Sequence, residues 1–100
     1  MERYERRVRI NGPRSSFSEV AEDLWGGGVE FDSDGNSTAP DDAHWTELII
    51  QRRQPPLERV DIDPVSDSPL VLRIVASSDL LAQRAAEFLK HRTDGVLTEG

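Results

Sequence analysis

The chain contains no cysteine, which excludes disulfides, thiolate metal sites and cysteine nucleophiles. It also has no long apolar run. Its start, MERYERRVRI, is charged from the second residue and lacks the apolar centre of a signal peptide, and no stretch is long enough to span a bilayer. A soluble, cytoplasmic protein with no membrane partner is the expectation. A third lack is local: residues 15–51 carry no Lys or Arg but nine acids, a block charge of −9. Residues 1–14 hold five arginines against two glutamates, or +3, and residues 52–100 sum to −1, so the chain carries −7 in all. Such a layout repels nucleic acid over much of the surface and favours a basic protein partner, or serves simply as a solvated acidic surface.

What is present is one domain's worth of patterned sequence. The chain is 100 residues long, 36% of them hydrophobic and 31% charged, enough for a single modest core. The apolar residues are periodic, which argues against disorder. Tyr4 to Ile10 alternates, with Tyr4, Val8 and Ile10 on the face shared by Arg6, as in a half-buried strand. Its arginines are interrupted by glutamates and have no aromatic platform, so nucleic acid is not expected. Ser16-Phe17-Ser18-Glu19 has capping-box spacing, and Phe17, Val20, Ala21 and Leu24 follow at helical intervals. Gly26-Gly27-Gly28 stops that helix; glycines placed after a helix are not positioned to cradle phosphate.

The densest apolar sequence runs from Leu70 to Arg92. It reads as a strand with two apolar faces, a Ser77-Ser78 turn and an amphipathic helix capped by one of those serines. The glycines of a nucleophile elbow are missing from Ala76-Ser77-Ser78-Asp79-Leu80, so the serines are read as caps. Gly95 is the expected helix stop, and Val96-Leu97-Thr98 offers a short final strand. A further strand spans Trp45 to Arg53, with Thr46, Leu48 and Ile50 on one side and Trp45, Glu47, Ile49 and Gln51 on the other. Val29 and Phe31 share one face of a short strand, with Glu30 and Asp32 on the other. Residues 33–43 and 54–69 are read as flexible loops, the second containing at most a short edge strand near Val60 and Ile62.

Two acidic arrangements bear on metals. Glu30, Asp32, Asp34, Gly35 and Asp41 fall at calcium-loop positions 1, 3, 5, 6 and 12, but position 1 is glutamate, position 8 is Ser37, and no helix precedes the loop. A turn between strands explains them more simply. Asp41, Asp42 and His44 are likewise read as surface residues, so no metal and no cofactor is expected. Asp61 and Asp63 project together from one strand face, where charges commonly protect an edge from aggregation.

Two helices, each with one apolar stripe, and four to five strands imply an α+β two-layer sandwich: a mainly antiparallel sheet with both helices on one face, a ferredoxin-like split βαβ arrangement being the first expectation. The second sheet face would then carry Trp45, Ile49, Val71 and Val75, the expected interface for a protein partner or a second copy. Asp32, Asp34, Asp41 and Asp42 form the expected acidic surface. The function expected is a non-enzymatic interaction or regulatory module. The alternative is a dimeric small-ligand-binding domain or cofactor-free enzyme, with a cleft near His44, Trp45 and Asp61.

Overall fold

Alternation along the first segment makes β1 (Tyr4–Arg9), and the capped apolar stripe makes α1 (Phe17–Trp25). The computed structural model describes residues 3–14, 16–36, 42, 44–53 and 57–98. Ser16 caps α1, accepting the Glu19 amide at 3.4 Å, and Gly26 ends it at φ 87°, a conformation open to glycine because it has no Cβ. Then come β2 (Phe31–Gly35), β3 (Leu48–Arg52), β4 (Arg59–Asp67), β5 (Leu70–Ala76), α2 (Asp79–Thr93) and β6 (Val96–Thr98). The six strands form one antiparallel sheet in the order β2-β3-β4-β5-β1-β6. The N-terminal strand therefore lies inside the sheet, between β5 and β6, and β2 and β6 are its edges.

Both helices cover the same sheet face. Val8 pairs with Leu72, and Ile74 lies level with Ile62 and Leu48, so their side chains share one side. They are buried with Val20 and Leu24 of α1 and with Leu81, Ala85 and Leu89 of α2 in one cluster. Each aliphatic side chain so buried contributes about 1.5–3 kcal/mol. Ala82, Ala85 and Ala86 line the buried side of α2, where small side chains let the helix lie close to β1 and β5. The helices are tied at their outer surfaces: Arg84 donates to the Asp23 carbonyl at 2.7 Å, and Arg92 pairs with Glu19 at 3.3 Å.

Ser78 caps α2, accepting the Leu81 amide at 3.1 Å, while Ser77 Oγ accepts the Arg59 amide at 3.4 Å from the neighbouring strand. The helix stop begins one residue before the expected glycine. Asp94 takes the left-handed conformation at φ 53°, and the Gly95 amide then bonds back to the Lys90 carbonyl at 2.9 Å. Gly95 is required for a different reason: a Cβ there would overlap the Arg9 carbonyl of β1.

Three expectations need correction. First, the sheet has six strands rather than four to five, with β4, nine residues long, near its centre where residues 54–69 read as loop. Pro64 suppressed the strand signal, since proline removes a ladder donor. The sheet absorbs it with a bulge: Pro64 pairs with Leu72 and Ser66 with Val71, and Val65 is the extra residue between them. Second, the short strand expected over 29–32 is shifted to Phe31–Gly35, so Ser33, Asp34 and Gly35 belong to β2 rather than to a loop. Residues 37–41 and 43 of the expected first loop, and 54–56 of the second, lie outside the described residues.

Third, Trp45 does not join the open sheet face. It is 1% exposed and belongs to the core. The strand alternation that assigned it begins only at Leu48. Before that the chain bends at Thr46, held by Asn36, whose Oδ1 accepts the Thr46 and Glu47 amides at 2.9 and 3.0 Å. Arg14 Nε donates to the Trp45 carbonyl at 2.9 Å and fixes the entry to that bend. Burial lowers the pKa of the Arg14 guanidinium from its ordinary value, opposed by the nearby negative charge of Asp42.

Candidate functional site: the open sheet face

The sheet face turned away from the helices is built by the alternate residues of each strand. Across one row lie Asp34, Ile49, Asp61, Val75 and Glu5, from β2, β3, β4, β5 and β1. Two residues further along, Asp63 is level with Arg73 and Arg7. Continuing the β3 register by one residue brings Glu47 into this second row. Beyond it, Val71 is level with Arg9 and Val96. Of the four residues expected at an interface here, Ile49, Val71 and Val75 are on this face and half-buried, and Trp45 is not.

A depression of about 370 Å³ opens on the face. Asp34, Glu47, Asp61 and Asp63 supply carboxylates to it, Arg3 and Arg73 supply guanidiniums, and Ile49 and Val75 supply apolar floor. Two carboxylates are held in forked ion pairs. Asp63 accepts Arg73 Nη2 and Nε at 2.7 and 3.2 Å; Asp61 accepts Arg59 Nε and Nη2 at 2.7 and 3.3 Å. In both pairs the carboxylate hydrogen bond, and then the carboxylate charge, raises the arginine pKa. Asp34 instead accepts its neighbouring Gly35 amide at 2.8 Å, and Glu47 has no ion pair with any described residue. Gly35 permits this geometry: it adopts φ 135°, and a Cβ would overlap the Glu47 carbonyl.

The charges on this face are sorted by strand. Asp32 and Asp34 of β2, Glu47 before β3, and Asp61 and Asp63 of β4 make one half acidic, with Arg59 and Arg53, paired to Asp61 and Asp32, as its basic members. Arg7 and Arg9 of β1 and Arg73 of β5 make the other half basic, with Glu5 bound to Arg7 at 3.0 Å as its acid. The sequence contained this division as its blocks of charge. What it did not reveal was that the sheet order lays the arginine strand β1 beside β5, with three strands between it and β2. Glu47, Arg7 and Arg73 were missed for that reason, whereas the shared direction of Asp61 and Asp63 was legible from their spacing.

The residues of the other anticipated sites fall as follows. Of His44, Trp45 and Asp61, only Asp61 lines the depression; Trp45 is in the core, and His44 is exposed, its amide donating to Asp42 Oδ1 at 2.8 Å. Of the acidic surface set, Asp32 pairs with Arg53 at 2.6 Å, Asp34 lines the depression and Asp42 is half-buried beside Arg14, while Asp41 lies outside the described residues. Among the described residues no group of three or more His, Asp or Glu side chains is placed to hold a metal ion, and none of their helices is long and apolar enough to cross a membrane. Comparison with known proteins finds no family model, no curated protein and no solved structure that matches the chain.

Proposed function

We propose that the chain is a non-enzymatic interaction module that docks a basic protein surface on the acidic half of its open sheet face. The observation that carries this reading is the depression in which the four carboxylates of Asp34, Glu47, Asp61 and Asp63 outnumber the two guanidiniums of Arg3 and Arg73, with Ile49 and Val75 beneath them. Carboxylates on neighbouring strands present acceptors at fixed spacing, and the apolar floor can take the methylenes of a long cationic side chain. Rim charges of this kind act chiefly on encounter rate and partner choice, so the interaction is expected to weaken with salt. We read the fold as an expanded ferredoxin-like split βαβ, in which the meander β2–β5 stands in place of a central hairpin. The expansion widens the sheet and supplies the strands on which the acidic half is built.

The test is a titration of the isotope-labelled protein with an arginine-rich peptide, followed through its backbone amide resonances. Shifts should concentrate at Asp34, Glu47, Ile49, Asp61 and Asp63 and should shrink in the Asp34→Asn/Glu47→Gln variant. Shifts centred instead on the helix acids Glu19, Glu22 and Asp23, or unchanged by the variant, would remove the reading.

A further inference from the structure

The open face carries both halves of a complementary charge pattern, and the two halves match in position. The sheet order places Asp63 of β4 level with Arg73 of β5, at the middle of the face. One strand further out on each side stand Glu47, before β3, and Arg7 of β1. A two-fold axis running along the strands between β4 and β5 turns each half onto the other. It lays β4 over the partner's β5 and β3 over the partner's β1. Asp63 then faces the partner's Arg73, and Glu47 faces the partner's Arg7.

This pattern has the symmetry that a closed dimer requires, in which one patch must complement itself. A surface shaped only for a foreign basic partner needs no arginine half of its own. The molecule measures 37 × 31 × 20 Å, and its broad dimensions span a face larger than the roughly 800 Å² per partner typical of stable complexes. The half-buried Ile49, Val71 and Val75 add apolar area among the charges. Glu47 has no ion pair with any described residue, so stacking gives it a partner that the single chain does not.

We infer that the basic surface docked by the acidic half is the arginine half of a second copy of this chain, stacked face to face about that axis. The inference rests on the interaction-module reading and names its partner. Association brings Glu47 and Arg7 of both copies into two equivalent cross-chain pairs, with Asp63 and Arg73 as the inner pairs.

Sedimentation equilibrium over a concentration series tests it. The unmodified protein should be a dimer at high concentration, with its dissociation constant rising about tenfold or more between low salt and 0.5 M salt as surface charges are screened. Arg7→Glu and Glu47→Arg should each abolish the dimer at concentrations where the unmodified chain associates. The combined Arg7→Glu/Glu47→Arg chain should recover it, because each exchanged charge meets its exchanged partner. Far-ultraviolet circular dichroism establishes that each variant is folded before its association is read. A protein that stays monomeric at millimolar concentration overturns the inference, and so does a double variant as weak as either single one. The peptide titration separates this from the broader reading: a monomer whose acidic half still takes the arginine-rich peptide leaves the module standing with a foreign partner.

Discussion

Replacing Trp45 by alanine separates a core role from an interface role by its size. The indole is 1% exposed and packed in the cluster formed by both helices and the sheet. An aromatic side chain of this size buries about 200 Å², worth about 5 kcal/mol at 25 cal/mol per Å². Partial collapse of the surroundings brings the expected loss to about 3–5 kcal/mol. A domain of this length is stable by only about 5–15 kcal/mol, so the variant should fall by about 12 °C or more in Tm. The assay is urea denaturation followed by circular dichroism, in which the midpoint should drop while the slope stays fixed, since the surface exposed on unfolding is nearly the same. A loss below about 1 kcal/mol would refute the placement of Trp45 in the core. An interface tryptophan would show the reverse behaviour, with unchanged stability at low concentration and altered association.

Gly35→Ala should cost at least about 2 kcal/mol, because it combines a φ of 135° with a Cβ forced against Glu47 and 2.9 Å from Leu48 Cα; a thermal shift within error would contradict that geometry. Ser78→Ala should lose about 1 kcal/mol of stability by removing the cap on the Leu81 amide, measured by denaturant unfolding, and no loss would argue against the cap. Asp94→Gly should stabilise by about 0.5–1 kcal/mol by relieving the left-handed backbone at φ 53°, and a destabilised variant would show that the aspartate side chain matters more than its backbone.

Legibility followed the length and regularity of each signal. β1, β5 and both helices were readable because their apolar periods run unbroken and their caps stand at the expected spacing. β4 was hidden by Pro64, whose cost is met by a bulge that cannot be read from spacing alone. β2 was legible only at its start, because Ser33, Asp34 and Gly35 are poor strand formers. Pairing with β3 and the bonds from Asn36 outweigh that preference. Trp45 was assigned to the wrong side by extending a period-2 pattern through a bend. At the candidate site, individual charges were visible, but their division into halves depends on sheet order, which joins residues far apart in the chain.

That order also has a consequence for how the molecule comes together. β2 to β5 pair with their neighbours in sequence, so this meander closes over at most twelve intervening residues. β1 has no such neighbour: Tyr4 pairs with Ala76 and Arg9 with Val96. The closure entropy of those pairings grows with the intervening length, and contacts of that kind slow folding. β1, which precedes every other strand of this sheet in the chain, is therefore among the last to find its place. Until β5 and β6 exist, the arginine strand remains unpaired, and the acidic half of the face is complete before the basic half can form beside it.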